Sequence, residues 1–268
     1  MLALSVRDQA MYVCIRSTFY RIATIAGQGL LVVLAGELEK RTSTIAMAWS
    51  ITFYILAGLF IAFYLYHSYI LPHPASDKPA VGNVTANNIF KEFFATFASF
   101  FKKPQAGVAI LFMLFYRLPE AQLVKLINPF LLDPIEKGGL GLSTAEVGWV
   151  YGTIGIIGLT LGGIIGGICA AKGGLQKWLW PMAWSISLTC ITFVYLGYFQ
   201  PQDLLTINIC VFIEQFGYGF GFTAYMLYLI YYSDGEHKTA HYAICTAFMA
   251  LGMMLPGMMA GWLQELIG

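Results

Sequence analysis

The stretch TIAMAWSITFYILAGLFIAFYLY, residues 44–66, contains no charged side chain. A helix needs about 20 apolar residues to cross the hydrocarbon core of a bilayer, and this run supplies them. Backbone N–H and C=O groups find no water in that core, so a single apolar segment must satisfy them as a helix. The stretch therefore predicts a transmembrane helix and, with it, an integral membrane protein.

The composition of the whole chain agrees with this prediction. Of its 268 residues, 58% are hydrophobic and 11% charged, whereas soluble domains carry about 25% charged residues. The net charge of +1 gives no indication of a nucleic-acid partner. The five cysteines are scattered without CxxC pairs, so the sequence indicates neither a disulfide framework nor a zinc site. No cofactor or metal is expected, and no oligomeric state is predicted.

Seven stretches are long and apolar enough to be membrane spans. They are residues 17–36, 44–66, 106–132, 142–171, 178–199, 205–232 and 242–263. The basic residues of the connections divide unequally, with Arg7, Arg16, Lys78, Lys91, Lys102, Lys103, Lys172, Lys177 and Lys238 on one side, and Lys40, Arg41 and Lys137 on the other. Because lysine and arginine concentrate in cytoplasmic loops, the richer side is predicted to be cytoplasmic.

The connection at residues 71–104 predicts a division of the chain. Its first half is polar, and its second half, NIFKEFFATFASFFKKP, has five phenylalanines at helical spacing: Phe90, Phe93, Phe94, Phe97 and Phe101. Such an amphipathic helix is expected to lie in the headgroup plane on the cytoplasmic side. The alternative is a loop helix packed against the protein. The connection would separate two spans in residues 1–70 from five in residues 105–268.

Charges inside the spans are the candidate functional groups. A charged side chain at mid-bilayer costs at least about 2.5–3.5 kcal/mol, so it usually faces a partner or a water-filled cavity. In the first span Arg21 and Gln28 fall on one polar side. In FYRLPEAQLVKLINPF, residues 115–130, Arg117 and Glu120 have the spacing of a helical ion pair.

Two further residues of that stretch bear on the same region. Pro119 predicts a kink or break in the helix, because proline lacks the backbone donor. Lys125 lies about 80° around the helix from Arg117. Broken helices at membrane depth are tolerated where they line a cavity, as in transporters.

The sixth span repeats the pattern, with Glu214, Tyr218, Gly221 and Tyr225 on one face. Together the three spans predict a cavity for an anionic, sugar-like or peptide-like solute, since arginine grips carboxylates and tyrosine supplies stacking faces. Glu120 and Glu214 are the candidate proton carriers, because burial disfavours the charged form of an acid. The alternative is that these groups are internal pairs that only stabilise the fold.

Two other polar groups have simpler explanations. Asp234, Glu236, His237 and His241 resemble a metal site, but a solvated loop leading into a helix is favoured. Glu146 follows Ser143 by three residues, which is the spacing of a capping box. The sequence contains no nucleophile elbow or phosphate-binding loop, so an enzyme is not expected.

Several blocks resemble known transporters. Residues 152–180, GTIGIIGLTLGGIIGGICAAKGGLQKWLW, are similar to the gating-loop signature of the major facilitator superfamily, with Gly167, Lys172, Gly174 and Lys177 matching and Ala171 in place of an acid. FYRIATIAGQGLLVVLA, LFYRLPEAQL, LSTAEVGWVYGTIGIIGLTLGG, VFIEQFGYGFGFTAYM and KTAHYAICTAFMALGMMLPGMMAGWLQE resemble the fifth, seventh, eighth, tenth and eleventh helices of AmpG-type anhydromuropeptide permeases.

This resemblance implies an all-α membrane bundle of the superfamily, incomplete, matching helices five to eleven of twelve. It also implies a proton-coupled symporter that imports anhydromuropeptides across a bacterial inner membrane for cell-wall recycling. Arg21, Gln28, Arg117, Lys125, Tyr218 and Tyr225 would then contact the solute. Carriers for another small solute, such as a sugar, a drug or an acyl-carrier compound, and a non-transporting receptor or scaffold are the alternatives that stay open.

Overall fold

A computed structural model describes residues 31–42, 44–71 and 86–267, together with residues 12, 15, 16, 19, 20 and 23. Throughout this part of the chain the regular structure is helical, with no strand. The helices are α1 (Leu31–Thr42), α2 (Ile45–Ile70), α3 (Ala86–Phe101), α4 (Ala106–Phe115), α5 (Leu118–Leu132), α6 (Thr144–Trp149), α7 (Ile156–Gly173), α8 (Leu175–Leu188), α9 (Ile191–Phe199), α10 (Leu204–Ser233) and α11 (Lys238–Ile267). Residues Val150–Gly155 between α6 and α7 are wound as a π-helix.

Within the described residues, six helical segments are long and apolar enough to cross a membrane. They are Ile45–Ile70, Ala106–Leu132, Glu146–Gly173, Leu175–Phe199, Leu204–Ser233 and Lys238–Ile267. Six of the seven predicted spans, and the all-helical fold class, are thus confirmed. The remaining span, residues 17–36, lies largely outside the described residues.

The described residues form two compact units, one within Phe19–Ile89 and one within Met1–Thr18 and Phe90–Gly268. In the first, α1 packs against α2, and Ala35, Ala48 and Thr52 are buried. In the second, the long helix α10 is central and contacts α7, α8 and α11. The division predicted from the sequence, into residues 1–70, 71–104 and 105–268, stays a prediction.

Glycines set how closely α10 approaches α7. A Cβ added at Gly158 would lie 2.6 Å from the carbonyl oxygen of Phe212, and one at Gly162 would collide with that of Phe216. From the other side, a Cβ at Gly219 would collide with the carbonyl oxygen of Leu159. Small residues let two backbones pack this tightly in membranes, where the hydrophobic effect does not drive helix association.

The amphipathic helix α3 has two apolar flanks. The five predicted phenylalanines are exposed, as an interfacial helix requires, whereas Phe100 is fully buried. The Phe100 ring packs edge-on against Tyr232 and His241 and stacks on Phe248. The alternative prediction, a loop helix packed against the protein, is therefore correct for the side of α3 that carries Phe100. The location of the other flank in the headgroup plane stays a prediction.

His241 corrects the interpretation of the loop before α11. Asp234, Glu236 and His237 are exposed as expected for a solvated loop, but His241 is only 4% exposed. The hydroxyl of Ser99 donates to the carbonyl oxygen of Thr96 at 2.6 Å and lies 2.9 Å from His241 Nε2. The prediction failed for His241 because α3, distant in sequence, covers it.

Two helix N-termini are capped by side chains. The predicted capping box is present, since the Ser143 N–H donates to Glu146 Oε2 at 2.8 Å and the Glu146 N–H donates to Ser143 Oγ at 3.3 Å. At the start of α10, the Thr206 N–H donates to Asp203 Oδ2 at 2.8 Å. Both caps satisfy backbone donors that the first helical turn leaves unpaired.

The Asp203 cap predicts a pH dependence. The hydrogen bond from Thr206 holds the pKa of Asp203 below its usual value. The cap therefore contributes stability above the unfolded-state pKa of about 3.9, and this contribution is lost as the pH falls through the lower folded-state pKa. Asp203→Asn keeps an acceptor that does not titrate, so its melting temperature should fall less than that of the wild type on acidification. If thermal scans between about pH 6 and 3 showed the same fall in melting temperature for Asp203→Asn and the wild type, the assigned role of Asp203 as a cap would be contradicted.

Candidate functional site

The membrane span Ala106–Leu132 is broken at Tyr116 and Arg117, as Pro119 predicted. The helix α4 ends at Phe115 and α5 begins at Leu118, with the proline in its first turn. Arg117 has φ −107° and ψ 15°, outside the helical region. Proline has no N–H to continue the helical ladder, so the chain changes direction here. The break directs the arginine side chain towards α10.

Arg117 is held by an acid and two aromatic rings. Its Nε and Nη2 donate to Glu120 Oε2 at 3.0 and 2.9 Å, and Nη2 also donates to Tyr218 Oη at 2.7 Å. The guanidinium carbon lies 4.9 Å from the ring centroid of Phe222. Arg117 is 8% exposed and Glu120 is 2% exposed. We call these four residues the Arg117 cluster; they make a desolvated ion pair with a cation–π contact.

A second polar group surrounds Glu214, which is 2% exposed. Gln215 Nε2 donates to Glu214 Oε2 at 2.8 Å and to Tyr151 Oη at 2.9 Å. Tyr151 belongs to the π-helical stretch, a distortion that occurs often at functional sites. Gly155 of that stretch leaves room for Gln215, because a Cβ there would lie 3.3 Å from the Gln215 Cγ. We call Glu214, Gln215 and Tyr151 the Glu214 cluster.

The two clusters lie next to each other along α10. Glu214 precedes Tyr218, the residue that accepts a hydrogen bond from Arg117, by one helical turn. This region thus buries one arginine and two acids. Like charges in a poorly solvated site resist being ionised together. A single proton shared by the two acids would balance the charge of Arg117.

Tyr225, predicted to contact solute, is fully buried. Its hydroxyl donates to the Met113 carbonyl oxygen at 2.6 Å, and its ring stacks on Tyr116 with centroids 4.8 Å apart. The Tyr116 hydroxyl donates in turn to the Gly221 carbonyl oxygen at 2.9 Å. The face of α10 on which the sequence placed Glu214, Tyr218, Gly221 and Tyr225 thus meets the α4–α5 break.

The other predicted residues lie elsewhere. Lys125 is exposed and outside both clusters, with its aliphatic stem against Gly257 of α11. Arg21 and Gln28 lie outside the described residues. Gly167 is buried in α7, whereas Lys172 and Lys177 are exposed on either side of the turn between α7 and α8. Gly174 in that turn has φ +75°, a conformation that favours glycine.

Three residues of the site were missed from the sequence: Tyr151, Gln215 and Phe222. Gln215 is 100° around the helix from Glu214, so it does not share the face of α10 on which the candidate residues were sought. Tyr151 lies in another span, and its position depends on the π-helical stretch, which leaves no periodic signal. Phe222 follows Tyr218 by four residues and shares its side of α10, so helical spacing would have identified it.

Replacing Tyr218 by phenylalanine tests one hydrogen bond of the Arg117 cluster. The change removes the oxygen that accepts from Arg117 and keeps the ring. Hydrogen bonds to charged groups contribute about 1.5–3 kcal/mol, so we expect the free energy of unfolding to fall by about 1.5–2 kcal/mol. Tyr198→Phe is the control, since Tyr198 is 82% exposed. Equal losses for the two variants in detergent unfolding would contradict the assigned hydrogen bond.

Comparisons with known proteins agree with this architecture. The family model described as Major Facilitator Superfamily matches residues 2–257. Putative transporter AmpG 2 of Rickettsia prowazekii is 27% identical over 246 residues, 92% of this chain and 57% of that protein. The anhydromuropeptide permease of Escherichia coli K12 is 23% identical over 259 residues, 93% of this chain and 47% of that protein. Putative transporter AmpG 2 of Rickettsia typhi is 29% identical over 181 residues, which are 68% of this chain and 43% of that protein.

The resemblance stated from the sequence is confirmed by these matches. The chain spans about half the length of the curated relatives it matches. The six helices of membrane-spanning length within the described residues agree with a multi-pass membrane protein. The chain belongs to the major facilitator superfamily.

Proposed function

We propose that the protein acts as a proton-coupled symporter that imports anhydromuropeptides, or related cell-wall recycling products, across a bacterial inner membrane. The observation that carries this proposal is the buried Arg117 cluster with Glu214 one turn away on α10: one cation able to grip a carboxylate, and two buried acids able to take up a proton. The solute comes from the name of the Escherichia coli relative. Anhydromuropeptides carry both carboxylates and sugar rings, which suits arginine next to tyrosine.

The geometry suggests how the two events are linked. A solute carboxylate would compete with Glu120 for the guanidinium of Arg117, since arginine binds one carboxylate best in a bidentate fork. Glu120, released beside Glu214, would then favour uptake of a proton. Proton and solute would therefore bind together, with Tyr218 and Phe222 offering ring faces to the solute.

Alternating access would come from rocking of two helical bundles about this site. Tyr225 is fully buried here, so its contact with solute would require α4 and α5 to move away from α10. Gly167, Lys172, Gly174 and Lys177 would form part of the gate on the side predicted to be cytoplasmic. Arg21, Gln28 and Lys125 are proposed as further solute contacts.

Uptake of labelled anhydromuropeptide into cells that lack their own permease tests the proposal. We expect saturable uptake, larger at lower external pH, when this chain is joined to the parts of the Escherichia coli permease that lie outside the match. The 268-residue chain alone is expected to give none, because alternating access needs both bundles. If a chimera that is inserted in the membrane gave no uptake, anhydromuropeptide would be excluded as the solute, and another small solute would be favoured.

A further inference from the structure

Gln215 joins the candidate proton carrier to a neighbouring helix through one atom. Its Nε2 lies 2.8 Å from Glu214 Oε2 and 2.9 Å from Tyr151 Oη, so both hydrogens of the amide nitrogen are used. Glu214 and Gln215 are buried in α10, whereas Tyr151 lies in the π-helical stretch before α7. Gln215 is therefore placed to carry the state of Glu214 to the span that contains α7.

The charge of Glu214 fixes the direction of both hydrogen bonds. An ionised carboxylate only accepts hydrogen bonds, so it requires the NH2 end of the Gln215 amide to face it. The same nitrogen then donates to Tyr151, which acts as an acceptor, and the hydroxyl proton of Tyr151 points away from Gln215. This is the arrangement found in the structure.

A proton on Glu214 favours the opposite arrangement. The protonated carboxyl group gains an O–H donor and is a weaker acceptor than the carboxylate. Turning the Gln215 amide over exchanges its nitrogen and oxygen at nearly the same positions, so the cluster keeps its shape. Glu214 and Tyr151 then both donate to Gln215 Oε1. No proton leaves Tyr151 or Gln215 in this change, since only the directions of the hydrogen bonds reverse.

We propose that Gln215 is a positioning residue whose amide turns over when Glu214 is protonated and thereby converts Tyr151 from an acceptor into a donor. A bound proton shifts the packing of two elements only if it changes the contacts between them. The reversal is such a change between α10 and the π-helical stretch. The inference rests on the proposed role of Glu214 as a proton carrier, but not on the identity of the solute.

Other ionisable groups of this region come from three neighbouring elements. Arg117 and Glu120 belong to the α4–α5 break, and Tyr218 lies one turn along α10 from Glu214. Cys190 lies at the junction of α8 and α9, which both pack against α10. Because Glu120 is a second buried acid, changes that acid causes must be assigned to Glu214 by substitution.

Infrared difference spectroscopy of the 268-residue chain in detergent, between about pH 8 and 4, tests the proposal. One band is the C=O band of a protonated carboxyl group. The other is the phenol C–O band of isotope-labelled tyrosine, whose frequency depends on whether the hydroxyl donates or accepts. Both should change with the same midpoint, the first being absent in Glu214→Leu and the second in Tyr151→Phe. In Gln215→Met the carboxyl band should remain, whereas the shift of the tyrosine band should be lost.

Gln122→Met is the matched control, since Gln122 Nε2 donates to the Pro256 carbonyl oxygen at 2.9 Å, outside both clusters. It should leave both bands as they are in the wild type. If Gln215→Met fails to elute as a folded protein, isotope-labelled glutamine in the wild type replaces it. The glutamine C=O band should then fall in frequency in acid, because its oxygen accepts two hydrogen bonds, and Glu214→Leu should abolish that shift.

The possible results separate this inference from the proposed function. A carboxyl band of Glu214 without a change at Tyr151, or a tyrosine shift that persists in Gln215→Met, would overturn the inference and leave Glu214 as a proton carrier. If Glu214→Leu removed no band over this pH range, Glu214 would not take up a proton there. Both the inference and the proposed role of Glu214 would then fail.

Discussion

Replacing Arg117 by methionine is expected to lower the free energy of unfolding by about 3–5 kcal/mol, because the buried Glu120 would lose the cation that pairs with it. The two side chains are nearly inaccessible, and both contacts of the guanidinium with Glu120 are made with the same carboxylate oxygen. Chemical unfolding in detergent, followed by circular dichroism, measures this loss.

The double variant Arg117→Met/Glu120→Met separates structure from function. Replacing both members of a buried ion pair by apolar residues is often neutral or even stabilising, so we expect the double variant to recover most of the lost stability. Solute uptake by the completed transporter should remain abolished, because the group proposed to bind the carboxylate is gone. If the stable double variant transported normally, the pair would be only a structural feature.

An exposed ion pair in the same chain provides the control. Arg41 Nη2 lies 3.7 Å from Glu37 Oε1, with side chains 74% and 52% exposed. Exposed pairs contribute about 0–1 kcal/mol, so Arg41→Met should change stability little. A loss equal to that of Arg117→Met would show that burial does not explain the effect.

Replacing Gly162 by alanine is expected to cost about 3 kcal/mol, at the upper end of the range for overpacking. The new Cβ would collide with the Phe216 carbonyl oxygen and lie 3.0 Å from the Phe220 nitrogen. Both are backbone atoms of α10, so the strain is relieved only if the two helices separate. The Glu214 cluster joins α10 to the π-helical stretch that leads into α7, so proton-coupled uptake should fall together with stability.

Gly163→Ala is the matched control, one residue along the same helix. A Cβ there meets only the Gly219 carbonyl oxygen at 3.9 Å, an ordinary contact. Alanine is favoured over glycine in a helix by about 0.8–1.0 kcal/mol, so this variant should be neutral or slightly more stable. Comparable losses for the two alanine variants in thermal unfolding would mean that α7 and α10 are not packed through Gly162.

Much of the fold could be predicted because its signals are local. The run at residues 44–66 indicates a span by length and apolarity alone, and Pro119 indicates a break because it lacks a donor. The Ser143–Glu146 cap and the Arg117–Glu120 pair connect residues three apart, so helical geometry alone brings them together. For the same reason, nothing local could reveal that α3 covers His241.

The sequence by itself determined that this chain crosses a membrane as helices, where one helix breaks, and which spans carry charge, because bilayer thickness and helical spacing act on neighbouring residues. The tertiary structure decided which charges meet. Arg117 reaches Tyr218 because the α4–α5 break packs against α10. Gln215 reaches Tyr151 because contacts at glycines set how closely α7 and α10 approach, while Lys125 stays exposed. Such contacts join residues far apart in the chain, and they follow from the packing of whole helices rather than from any local pattern.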